Sequence, residues 1–131
     1  MKRQANLPTP TDREFEILDI LWSSGPATVR QVHDQLSPSK PSQYTTTLKI
    51  IQIMTEKGLL KRLDRNGSHI YRPLIDREYV RQRLAGTLMN RAFGGSLRKL
   101  MVGALGSKKT SEEELDELRR VLDEYQKGNK R

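Results

Sequence analysis

The chain has 131 residues, 34% hydrophobic and 31% charged, and its 24 Lys and Arg against 16 Asp and Glu give a formal net charge of +8. That length suits one domain or two small ones with a modest core, and the positive balance favours polyanionic partners: nucleic acid first, an anionic membrane surface second. There is no cysteine, which excludes a disulfide framework, thiolate metal sites and a cysteine nucleophile.

No apolar run approaches the length of a membrane span. The basic start Met1-Lys-Arg is not followed by an apolar stretch, so no signal peptide is expected and a soluble cytoplasmic protein is. Residues 1–9 are polar, with prolines at Pro8 and Pro10. Thr11-Asp-Arg-Glu14 then reads as a capping box, with Thr and Glu three apart ahead of an apolar run. The helix it opens carries Phe15, Leu18, Leu21 and Trp22 on one face with Ile17 beside them, and stops at Ser23-Ser-Gly-Pro26. Trp22 is read as core.

Thr28-Val-Arg-Gln31 is a second capping box, opening a short helix with Val29, Val32 and Leu36 that ends at Ser37-Pro38. His33 is placed on its outer side or edge and has no second ligand nearby, so a metal role is not expected. Ser37 to Pro41 reads as a tight loop into a third helix, with Ser42 as N-cap and Gly58 as the left-handed residue at its end. Thr47, Ile50, Ile51 and Met54 form its apolar stripe, and Thr45, Thr46, Lys49 and Gln52 its outer face. Successive threonines are poor helix formers, because β-branched side chains lose rotamer freedom. They make sense if their hydroxyls and methyls meet base edges or phosphates, and a polar outer face on a core helix is the bland alternative. A short helix, a turn and a third amphipathic helix fall in the order of a helix-turn-helix.

Two extended segments, Leu59 to Arg65 and Ser68 to Leu74, flank Asn66-Gly67, the strongest short hairpin signal. Lys61, Arg62, Arg65, His69 and Arg72 decorate it. A basic two-stranded ribbon after three helices is the winged arrangement, whose tip can reach a phosphate or the minor groove. Composition shifts at Asp76, which is read as the cap of a helix with Tyr79, Val80, Leu84 and Leu88 on its stripe. Gly94-Gly95 interrupts it, and a further helix carries Leu97, Leu100, Met101, Ala104 and Leu105 up to Gly106. Ser111-Glu-Glu-Glu114 opens the last helix as a third capping box, with Leu115, Leu118, Leu122 and Tyr125 at a/d-like spacing. These stripes have little to cover them within the chain, so a partner subunit is expected. A winged domain over residues 1–75 and a helical dimerisation domain over 76–131 follow.

Taken together, Thr9-Pro-Thr-Asp-Arg-Glu-Phe-Glu-Ile-Leu18 with Leu21-Trp22, Gly25 to Val32, Tyr44-Thr-Thr-Thr-Leu48 with Glu56 to Leu60, and Tyr71 with Pro73 resemble the penicillinase-repressor family (BlaI/MecI/CopY). The resemblance covers about residues 7–125. It implies a mostly α protein with a small β hairpin: a winged helix-turn-helix domain followed by a three-helix dimerisation domain. It also implies a dimeric repressor with its third helix in the major groove of a palindromic operator. By position, the family's contacts at the helix start fall on Tyr44, Thr45, Thr46 and Lys49. Members governed by a membrane sensor protease are cut at an Asn-Phe bond in the penultimate helix, where this chain has Gly103-Ala104. Copper-responsive members carry a cysteine cluster that is missing here, and position 53 is Ile where Arg is common.

The expectation is therefore a sequence-specific DNA-binding repressor with no cofactor. Its DNA contacts are expected from Tyr44, Thr45, Thr46, Lys49, Gln52, Arg62, Arg65, His69 and Arg72. Its dimer contacts are expected from Leu97, Leu100, Met101, Leu115, Leu118 and Leu122. Its partners would be duplex DNA, a second copy and, by the resemblance, a membrane sensor protease that relieves repression. A winged protein-interaction module and a small-molecule-responsive regulator are the alternatives. An enzyme is not expected, since His33 and His69 lie far apart and no phosphate loop or nucleophile motif is present.

Overall fold

The computed structural model describes residues 9–36 and 42–129. The loop read from Ser37 to Pro41 lies outside them, as do residues 1–8 and 130–131. The described elements are α1 (Asp12–Ser24), α2 (Val29–Gln35), α3 (Tyr44–Glu56), β1 (Leu60–Arg65), β2 (Ser68–Pro73), α4 (Arg77–Ala92), α5 (Leu97–Gly106) and α6 (Glu112–Gly128).

Helix starts follow local chemistry. Thr11 Oγ1 accepts from the Glu14 amide at 3.2 Å, and Glu14 Oε1 accepts from the Thr11 amide at 3.0 Å. Thr28 and Gln31 close the same reciprocal pair for α2. Ser111 Oγ accepts from the Glu114 amide at 3.1 Å at the start of α6, and Asp76 Oδ2 from the Tyr79 amide at 3.1 Å at the start of α4. Each of these oxygens satisfies a helix donor that has no intrahelical acceptor. The cap expected at Ser42 is a correction. α3 begins at Tyr44, its N-cap is Gln43, and the Gln43 side chain makes no capping bond. A hydroxyl one residue before the N-cap sits too early in the chain to serve the first-turn amides. The far end is as expected: Gly58 adopts φ +87° just beyond Lys57, a conformation in which a Cβ is strained.

The core of the first half joins one face from each helix. Ile17, Leu18 and Leu21 of α1, Val29 and Val32 of α2, and Thr47, Ile51 and Met54 of α3 are buried. Phe15, Trp22 and Ile50 pack against this cluster from its edge. Trp22 is half-buried rather than enclosed, and its indole N–H donates to the Ile75 carbonyl at 3.1 Å. That bond ties α1 to the chain leaving the hairpin, and it satisfies the ring's single donor.

β1 and β2 pair antiparallel, with Arg65 opposite Ser68 and Leu60 opposite Pro73. Asn66 and Gly67 between them take φ +52° and +80°, the pair of positive values that a two-residue type I′ turn requires. A third backbone segment joins the ribbon: Ala27 and Tyr71 exchange amide bonds of 3.2 and 2.8 Å. The link between α1 and α2 is thereby stitched to the middle of β2, with the Tyr71 side chain buried.

The chain divides into two compact units, Met1–Gly86 and Thr87–Arg131. The sequence-based boundary at 75/76 assigns α4 whole to the second half. Its first turns instead belong with the winged unit: Val80 is fully buried there, and Tyr79 and Leu84 pack on the same core. In the second unit, neither α5 nor α6 holds a buried residue.

Candidate nucleic-acid interface

The polar face of α3 points away from the core that fixes its other side. Thr47, Ile51 and Met54 are fully buried, while Thr45, Thr46, Lys49 and Gln52 are exposed. The helical period separates the two sets, because residues three and four apart share a face. Ile53 is exposed on the same helix.

The start of α3 is braced from α2. Tyr44 is half-buried, with the Arg30 guanidinium 4.2 Å from its ring centroid and the His33 ring edge-on at 5.7 Å and 81°. His33 Nδ1 lies 2.8 Å from Thr47 Oγ1. His33, read from sequence as an outer or edge residue, thus joins α2 to the buried hydroxyl of α3. Among the described residues no cluster of His, Cys, Asp or Glu could hold a metal ion. Arg30 was missing from the sequence-based set; its place over Tyr44 depends on how α2 and α3 pack, and no local pattern carries it.

The other end of α3 is held by a charge. Lys57 Nζ donates to Glu14 Oε2 at 2.7 Å, with the Glu14 side chain 5% exposed and Lys57 32%. One carboxylate thus caps α1 with one oxygen and anchors the end of α3 with the other.

The hairpin lies beside α3 with its side chains divided between two faces. Arg62, Asp64, His69 and Tyr71 share one face by register, and Lys61, Arg65 and Arg72 take the other. Arg62 and Tyr71 line an open cleft of about 430 Å³ with Gln52, Thr55 and Glu56 of α3. His69 and Tyr71 line a second, of about 370 Å³, with Arg30, Tyr44 and Leu48. Arg62 and His69 therefore stand against the flanks of α3, and Arg65 is exposed at the tip. Arg72 is half-buried on the far face, directly across from Lys61.

In the second unit, Leu97 and Leu122 are 59% and 61% exposed, and with Tyr125 they line one apolar cleft. Leu100, Met101, Leu115 and Leu118 are half-buried within the unit.

A half-buried helix with an outward polar face, following a short helix and flanked by a β ribbon, defines a winged helix-turn-helix protein. A solved MarR family protein from Bacillus stearothermophilus shares this fold at TM-score 0.51 and 20% identity, covering 97% of this chain and 79% of that one. The profile of the penicillinase repressor family matches residues 10–124, and the chain belongs to that family, whose members are transcriptional repressors and not enzymes. The transcriptional regulator BlaI of Mycobacterium tuberculosis (strain H37Rv) is 32% identical over 127 residues, covering 95% of this chain and 91% of that protein. The penicillinase repressor of Bacillus licheniformis is 23% identical over 124 residues, covering 95% and 97%. The methicillin resistance regulatory protein MecI of Staphylococcus aureus (strain N315) is 21% identical over 109 residues, covering 83% and 89%. No helix is long and apolar enough to cross a membrane among the described residues.

Proposed function

We propose that this chain is a sequence-specific transcriptional repressor that binds a palindromic operator as a homodimer. The observation that carries the reading is the outward set Thr45, Thr46, Lys49 and Gln52 on a helix whose opposite side is locked into the core. Thr45, Thr46 and Gln52 would meet base edges in the major groove, and Lys49 a base or a phosphate. The first turn of α3, where the Gln43 side chain makes no capping bond, has amide donors to offer a phosphate. Arg62, His69 and the tip residue Arg65 would follow the adjoining backbone, while Arg72 lies on the other face of the ribbon from Arg62 and His69. The winged unit reads DNA. The second unit pairs two copies through Leu97 and Leu122, extended by Tyr125, with Leu100, Met101, Leu115 and Leu118 shaping the helices beneath. Two reading helices related by a twofold axis would meet groove faces roughly 34 Å apart.

Relief of repression by a membrane sensor protease is the route the resemblance implies. Gly103 and Ala104 are exposed in α5; by the resemblance, protease-governed members carry Asn-Phe at this place, so a signal of another kind is the reading we favour for induction.

Replacing Lys49 by Ala tests the interface. If Lys49 reads a base, operator binding falls by about 1–3 kcal/mol with relaxed choice at one position. If it holds a phosphate, affinity falls on every duplex and the salt slope becomes shallower by about 1. Salt-titrated binding that matches the unmodified protein in affinity and slope removes Lys49 from the interface.

A further inference from the structure

The basic wing contains a built-in competitor. Asp64 is the only acidic residue from Leu60 to Pro73, and it stands directly across the ribbon from His69. Its Oδ1 accepts from His69 Nδ1 at 2.6 Å and lies 3.8 Å from Arg62 Nε. These two cationic or potentially cationic groups flank α3, one in each cleft. Resting on the DNA-binding reading above, we propose that Asp64 mimics a phosphate, holding Arg62 and His69 in the free protein until duplex DNA displaces it. It thereby lowers affinity for any duplex and raises discrimination in favour of the operator.

The physical grounds are exposure and charge. The side chains of Asp64, His69 and Arg62 are 69%, 54% and 53% exposed. Ion pairs that open to water add little to fold stability and exchange readily for another anion. A carboxylate offers the same acceptor geometry to a guanidinium or imidazole N–H as a phosphate oxygen does. Once a phosphate arrives, Asp64 is a like charge beside it and repels the backbone. Binding to random sequence draws nearly all its free energy from backbone electrostatics, whereas operator binding adds base contacts. A penalty on backbone contact therefore removes a larger share of non-specific binding than of specific binding.

The test is Asp64→Asn, measured on an operator duplex and on random duplex across a salt series. The variant should bind random duplex roughly five- to twentyfold more tightly at low salt, with a slope steeper by about 0.9 for each phosphate gained. Its operator-to-random affinity ratio should fall. In the background Arg62→Gln with His69→Gln, the same substitution should give little gain, because the two groups it releases are gone. Equal or weaker binding by Asp64→Asn, with an unchanged melting curve, overturns the inference and makes Asp64 a residue that orients Arg62 and His69 for contact. A gain that persists in full without Arg62 and His69 also overturns it, leaving only net charge. Failure of the unmodified protein to bind any duplex is a separate result: it refutes the DNA-binding reading itself.

Discussion

Replacing Leu122 by Glu is expected to give a monomer that has lost the operator while keeping its fold. Leu122 is 61% exposed on a helix without a buried residue, so the chain itself buries little there and a charge costs little within the subunit. The same side chain borders the apolar cleft with Leu97 and Tyr125. In a symmetric pair each subunit would place its copy of this patch against the other, and two carboxylates would be brought together at the seam, where Arg119, on the same cleft, is already paired with Asp116 at 2.8 Å. Losing the tether between two reading helices removes an effective local concentration, which for joined binding modules is worth on the order of 10²-fold or more in affinity. Sedimentation velocity checks the first half and titrated retardation of an operator duplex the second. A variant that sediments like the unmodified protein removes Leu122 from the interface.

The second large effect is on stability. Removing the carboxylate by Glu14→Ala is expected to cost about 2–4 kcal/mol, read as a lowered urea midpoint with an unchanged slope. Glu14 is 4% exposed and serves two elements, the Thr11 amide and Lys57 Nζ. The lower end of the range reflects Lys57, which at 32% side-chain exposure turns partly to water when left alone. Glu14→Leu combined with Lys57→Met should recover most of the loss, since a buried pair replaced by apolar side chains is often near neutral. A double variant no more stable than Glu14→Ala would mean that the cap to Thr11, and not the buried charge, dominates.

Glu14 also marks the limit of what the sequence discloses. Its capping role is legible because Thr11 and Glu14 are three apart, and a helix start is a local event. Its grip on Lys57 is not legible, because the two are separated by the whole helix-turn-helix. The same division runs through the molecule. Asn66-Gly67 announces its own turn, and the alternation of Thr47, Ile51 and Met54 with Thr45, Thr46 and Lys49 announces the two faces of α3. The amide exchange between Ala27 and Tyr71 leaves no periodic trace, since one residue on each side makes it. Ser42 attracts the cap assignment because serine is favoured there, yet α3 starts at Tyr44 with Gln43 as its boundary. Arg30 and Asp64 went unmarked for a related reason. What each does depends on a ring supplied by another element: Tyr44 for the first, His69 from the opposite strand for the second.

Hydroxyl-radical footprinting on the chain's own upstream region addresses the central claim most directly. The account predicts two protected windows of matching sequence, related by a dyad, with centres separated by about one helical turn or a whole multiple of it. Protection should disappear together from both windows on titrating with salt, and random competitor duplex should not erase it. Uniform weak protection along the fragment, or none, would contradict a paired reading of DNA by the outward face of α3.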